Sequence, residues 1–412
     1  VVPFPSASGE TPSQLWDYMA AYEKDTGGRV LAIPHNSNVS NGLMFETTGS
    51  SGEAMSAEEA TMRARMEPIV ESTQIKGDSE THPFLSPNDE FAGFGVVGWD
   101  KENINAKEKT TPEMYAGSYV RSALKRGLEI EAKTGVNPYK LGQIGSTDSH
   151  TALATGDEDN FYGKHTFNEP TKEGLDRVNK RMNLGSRGDR FNWHYLAGGY
   201  AAVWATANTR EAIFDAMTRR EVYATTGPRM QVRFFGGFDF TDDDLGSDWV
   251  KAGYARGVPM GGDLEGKEGA APKFIVSALK DPEGANLDRV QIVKGWIDAS
   301  GQTQEKVFDV IWSDAENRKL ENGKVPAVGN TVDLTKASYS NSIGTAELQT
   351  VWSDPEFNPA IKAFYYVRVL EIPTPRWMVF DALRYKTKLP DEAVKVAQER
   401  AYTSPIWYSP KA

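Results

Sequence analysis

An aspartate and a histidine two residues apart, Asp148 and His150 in Ser146-Thr147-Asp148-Ser149-His150, follow the short apolar run Leu141-Gly142-Gln143-Ile144-Gly145. Side chains alternate along an extended segment, so this carboxylate and imidazole share one side. Where a strand empties into a loop, such a pair can grip a metal ion or a reacting group. The carboxylate serves as ligand or base and the neutral imidazole as nitrogen donor. Small residues at 145, 146 and 149 leave room. The plainer reading is a capping aspartate in a turn. His35 closes Leu31-Ala32-Ile33-Pro34 in the same way, with polar Asn36-Ser37-Asn38 where an apolar continuation would be expected. His82 ends a third strand-to-loop passage beginning at Val70, in which Asp78 and Glu80 read as a solvated charge cluster. A solvent-facing loop histidine is the alternative for His35.

Two further clusters could hold an anionic group. Lys164 and His165 end Asp159-Asn160-Phe161-Tyr162-Gly163-Lys164-His165, and Arg190 precedes Asn192 and His194. A surface loop explains the first equally well, and His194, between Trp193 and Tyr195, reads as a packed histidine.

The chain has no cysteine, which excludes disulfides, thiolate metal sites and a cysteine nucleophile. His and carboxylate ligands suit Zn, Mn or Fe. All five histidines fall within the first 194 of 412 residues, so histidine chemistry belongs to the N-terminal half. A net charge of −11 without a basic block argues against nucleic acid as partner. No apolar run approaches the roughly 20 residues of a membrane span. There is no G-x-S-x-G, no P-loop and no nucleotide-binding G-x-G-x-x-G following a strand.

The elements that must position these residues alternate in the first half. Helices are expected over about 11–26, from Ser56, over 112–134 and over 209–220. Strands are expected over 29–33, 69–75, 141–145, 199–205 and 222–225. That alternation implies a parallel sheet with sites at the C-terminal ends of its strands. Beyond Thr226-Gly227-Pro228, short strand-like runs at 231–235, 273–278, 289–296, 306–311 and 364–370 suggest a β-sandwich. Its tryptophans read as packing rather than as a carbohydrate platform. A short helix and an extended tail are expected over 389–405. The division is therefore 1–229 for the site-bearing part, 230–385 for the sandwich and 386–412 for a C-terminal extension.

The histidine-bearing strand ends, closing in Ser146-Thr147-Asp148-Ser149-His150 and leaving through Thr225-Thr226-Gly227-Pro228, resemble the PHP superfamily of metal hydrolases. Within it, Ala32-Ile33-Pro34-His35-Asn36-Ser37-Asn38, Gln74-Ile75-Lys76-Gly77-Asp78-Ser79-Glu80 and Ala401-Tyr402-Thr403-Ser404-Pro405-Ile406-Trp407-Tyr408 are similar to the bacterial domain-of-unknown-function family 3604. The resemblance implies a distorted (β/α)7 barrel with two or three divalent ions, bound here by His35, His82, Asp148 and His150. It implies hydrolysis of a phosphoester or sulfate ester by a metal-activated hydroxide. Asp148 and His150 would be catalytic, and Lys164, His165 and Arg190 would hold the anionic small-molecule substrate. The family's opening H-x-H, a further His and a bridging Glu have no counterpart in the 34 residues before His35. The expected fold is therefore α/β, an incomplete PHP-like barrel followed by a sandwich-like domain, with a missing N-terminal segment or a second chain completing it. The rival expectation is an inactive relative that binds glycans or a protein partner. Periplasmic or secreted localisation is implied by the resemblance alone.

Overall fold

The computed structural model describes residues 9–153, 155–171, 177–182, 190–246 and 248–411. Helix α1 (Pro12–Thr26) opens on the cap Thr11 with proline in its first turn and stops at Gly27, as Pro and Gly at those places dictate. Helix α2 (Ala57–Met66) is capped by Ser56, whose hydroxyl accepts from Glu59 N. Strand β1 (Ile69–Gln74) turns back into β2 (Gly77–Asp78) and pairs in parallel with β3 (Gly142–Gly145). Between them lies α3 (Val120–Thr134). Strand β4 (Tyr200–Val203), α4 (Arg210–Thr218) and β5 (Val222–Thr225) follow.

The remaining strands are β6 (Gln231–Gly237), β7 (Gly257–Pro259), β8 (Asp263–Glu265), β9 (Lys273–Leu279), β10 (Leu287–Ile297) and β11 (Thr303–Trp312). After them come β12 (Glu347–Ser353), β13 (Ala363–Glu371), β14 (Thr374–Pro375), β15 (Val396–Ala397), β16 (Arg400–Thr403) and β17 (Ile406–Ser409). Helices α5 (Trp249–Arg256) and α6 (Trp377–Tyr385) interrupt the series. One large sheet runs β11-β10-β13-β16-β5-β4, with β17 and β8 joined through β13. It crosses residue 229, since β5 pairs with β16. A second sheet, β12-β9-β6-β7, lies on one of its faces.

Strand β13 shows why the layers stack. All nine of its residues are buried, so both faces are covered. Tyr365, Val367 and Val369 enter the core shared with Val232, Phe234 and Phe274 of the second sheet. Phe364 and Tyr366 enter the core with Val120, Ala123 and Leu124 of α3. The alternate position Arg368 stays on the α3 side but meets Asp89 at 2.7 Å.

Several expectations change. The fold is mixed α/β, and none of its sheets closes into a barrel among the described residues. The expected succession of parallel strands reduces in the first half to the β1–β3 pair, because β4 and β5 pair antiparallel and join the large sheet. Residues 29–33 form no strand. Pro34 lacks a backbone donor, and the segment is tied alongside β1 through Ala32 N to Met66 O and Glu71 N to Pro34 O. The helix expected over 112–134 breaks into a 3₁₀ turn (Pro112–Gly117) and α3. Gly117 is pressed so closely on the Gly42 backbone that a Cβ there would stand 2.0 Å from Gly42 O. No helix occupies 389–405, whereas α6 starts seven residues after the run expected to end at 370, where no helix was expected. Tryptophans 377 and 407 are buried, as packing residues should be. Among the described residues, no helix is long and apolar enough to cross a membrane.

Candidate functional site

Strand β3 ends at Gly145, and the chain beyond it stays beside β1 through Ser146 N to Thr73 O. A Cβ on Gly145 would lie 2.7 Å from Thr225 O and 2.8 Å from Tyr200 O, so only glycine lets β3 sit this close to β4 and β5. Ser146 donates its hydroxyl to Glu71 on β1. The other Glu71 oxygen accepts from Gln74 Nε2 at 2.6 Å and from Asn36 N at 3.4 Å.

Two residues on, Asp148 adopts φ 48°, a left-handed conformation that aspartate tolerates better than most residues. Its carboxylate is the centre of the site. One oxygen contacts the Lys76 amine and accepts from Lys164 Nζ at 2.5 Å. The other lies 3.2 Å from His150 Nε2. Lys164 Nζ also donates to the Asp148 backbone carbonyl at 2.6 Å. His150 N donates to Lys164 O at 2.8 Å, binding the two loops together. Asn168 Oδ1 accepts from the backbone of both Lys164 and His165. The His165 ring meets the His150 ring edge to face at 4.6 Å.

Both amines are buried, whereas the His150 ring is open to solvent. Burial and the adjacent Lys164 charge push Lys76 down to about 6, against the pull of Glu71. The contact with Asp148 favours the charged form too, but burial and two amines crowded on one carboxylate outweigh it. Burial brings Lys164 down to about 8. The Lys164 charge lowers His150, and burial lowers His165 to about 4. Both imidazoles are therefore neutral near pH 7.

The structure thus brings together four of the residues singled out by sequence: Asp148, His150, Lys164 and His165. His35 is not among them: it is exposed, with Nδ1 3.4 Å from Ile33 O. His82 is packed elsewhere. Its ring stacks on Tyr115 at 4.1 Å, its Nδ1 accepts from Phe84 N, and its Nε2 lies 3.6 Å from Asp100. Arg190 donates to the carbonyls of Gly98, Glu102 and Asn103 and lies over the Trp99 ring. His194 is packed on Trp193. Asp78 and Glu80 are buried, not solvated. Lys76 and Glu71 were the residues sequence reasoning passed over. No local signal marks Lys76, which follows a strand that already carries Glu71 and precedes Asp78 by two residues.

A divalent ion is poorly served by this donor set. Asp148 already faces two amines, and only His150 joins it directly. Among the described residues no group of three or more His, Asp or Glu is placed to hold a metal. The residues that converge here are instead two amines and two neutral imidazoles around the Asp148 carboxylate, with Glu71 next to them.

No curated protein and no solved structure matches the chain. The profile of one family, described as "Protein of unknown function (DUF3604)", matches residues 1–410, so the chain belongs to that family.

Proposed function

We propose that this site binds the anionic group of a phosphoester or sulfate ester and hydrolyses the ester bond. The observation that carries the reading is the convergence of the Lys76 and Lys164 amines on Asp148 beside the solvent-open His150. In a charged state either amine offsets the negative charge that gathers on ester oxygens in the transition state. The Asp148 oxygen near His150 Nε2 orients the ring with that nitrogen as donor, leaving Nδ1 as acceptor. The Lys164 charge keeps this imidazole unprotonated, as a general base for water requires. The resemblance of Ser146-Thr147-Asp148-Ser149-His150 to the closing motif of PHP-type metal hydrolases supports the same reaction class. Zn, Mn or Fe in that role would need donors beyond Asp148 and His150, and no step above depends on one.

The test is release of 4-nitrophenol from 4-nitrophenyl phosphate and 4-nitrophenyl sulfate by the purified chain. His150→Ala should lower kcat on the productive ester by about 10²–10⁴-fold, and Lys76→Met should raise KM. Wild-type rates on both esters that survive in His150→Ala would sink the proposal. Metal analysis runs in parallel. Stoichiometric Zn, Mn or Fe that is lost in Asp148→Ala and His150→Ala would restore the metal-dependent form of the reaction.

The two amines on Asp148 also favour a second reading, in which the chain binds an anionic glycan or partner without turning it over. Saturable sulfate binding with no hydrolysis of either ester would select it.

A further inference from the structure

A cavity of about 400 Å³ lies beyond the Asp148 loop, walled by Gly156–Asp159, the 281–285 turn, residues 337–339 and the ends of β13 and β14. Seven carboxylates line it against a single guanidinium, Arg229. Five belong to the loops at 157–159, 281 and 283, and two, Glu371 and Glu399, form the floor. Glu371 is only 1 % exposed, and among the described residues its Oε1 meets no hydrogen-bond donor. A Cβ on Gly284, across the cavity wall, would stand 3.3 Å from that oxygen. A buried carboxylate oxygen without a donor costs free energy unless something satisfies it. Two rings, Tyr339 and Phe380, complete the wall.

The neighbouring cations are already engaged. Lys280 Nζ donates to the carbonyls of Asp281, Pro282 and Gly284. Arg376 pairs with Glu158 at 2.9 Å and donates to Tyr195 O. The Arg229 guanidinium lies over the Tyr200 ring, while its backbone N–H donates to Asp281. The cavity is far larger than a bare ion, and no His, Asp or Glu group here is placed to ligate a metal.

We propose that this cavity is a binding site for a small organic cation, an alkylammonium that donates to Glu371 Oε1 and packs its carbon chain against Tyr339 and Phe380. Carboxylates satisfy the N–H groups and the aromatic faces stabilise the charge. Without a ligand, burial raises Glu371 well above its usual range and, with Glu158 nearby, raises Glu399 to about 8. The free cavity therefore holds protons at neutral pH. An arriving ammonium replaces the proton on Glu371, so binding releases a proton and tightens as pH rises from neutral.

Calorimetry on the full chain tests this with putrescine, its neutral counterpart 1,4-butanediol, and Ca²⁺. Putrescine should bind and 1,4-butanediol should not. The heat should change with the ionisation enthalpy of the buffer, as proton release requires. Glu371→Gln should weaken putrescine roughly tenfold or more, while Asp243→Asn, an exposed acid outside the cavity, should leave it unchanged. Absence of putrescine binding, equal binding of the diol, binding of Ca²⁺ alone, or an affinity indifferent to Glu371→Gln in a folded variant would each overturn the assignment. Ester hydrolysis is not part of the readout, so the two proposals stand or fall separately.

Discussion

Lys76 and Lys164 share the Asp148 carboxylate in a buried corner that opens to solvent through His150. Each amine attracts an anion only while protonated. With Lys76 near 6 and Lys164 near 8, sulfate should bind most tightly below about pH 6. Its affinity should then fall in two steps as pH rises through those values. Sulfate is the suitable probe because its own charge is constant across this range. In Lys76→Met the lower step should vanish and the upper one remain, and a flat calorimetric profile in the wild type would remove the lysines from the proposed anion site. The same shift bears on stability. The folded state binds fewer protons at Lys76 than the unfolded chain between about 6 and the ordinary 10.5, so this group makes the fold more stable as pH rises across that window. At this scale Asp148, His150, Lys164 and His165 were legible because each stands in a polar loop with a chemical identity of its own. Lys76 was not, since nothing local distinguishes a lysine that will be buried from one that will be solvated.

Short strands place these loops. Strand β3 is four residues long, and the close approach of Gly145 to the carbonyls of Thr225 and Tyr200 leaves no space for a side chain. Gly145→Val should cost about 1–3 kcal/mol in urea unfolding through overpacking. It should also weaken sulfate binding, because the strand end that moves carries Ser146 and Asp148. Unchanged stability together with unchanged binding would show that β3 has room to spare. Capped and punctuated elements were readable: α1 between Thr11 and Gly27, and α2 from Ser56. Partner-dependent ones were not. Residues 29–33 have strand composition but gain only isolated hydrogen bonds beside β1, and the 112–134 helix is broken where the 42 and 117 backbones meet. Both outcomes are set by neighbours far away in sequence.

Across the whole molecule, a buried charge network ties the loop after β2 to α3 and to the centre of the large sheet. Arg121 contacts Glu80 at 2.6 Å and Asp89 at 2.8 Å, and Arg368 of β13 contacts Asp89 at 2.7 Å. These two guanidinium groups hold Asp89 well below the usual carboxylate range, outweighing its burial. Its contribution to stability is therefore present above the ordinary value of 3.8 and is lost as pH falls below it. Asp89→Asn should cost about 3–5 kcal/mol at neutral pH, the toll of stranding buried guanidinium charge. It should also flatten the acid limb of the denaturation curve, and a thermal or urea midpoint equal to wild type would refute this. Residue types and local spacing were enough to single out Asp148 and His150 as a pair, the strand-rich second half, and the helix ends marked by Thr, Ser, Pro and Gly. Those features arise from side-chain chemistry and backbone preferences over a few residues. Only the tertiary structure decided that the large sheet recruits β4 and β5 across residue 229, that His82 stacks on Tyr115 away from Asp148, and that two lysines meet on one carboxylate. Lys76 and Lys164 are 72 and 16 residues from Asp148, and contacts at such separations depend on how whole layers pack, which no local pattern encodes.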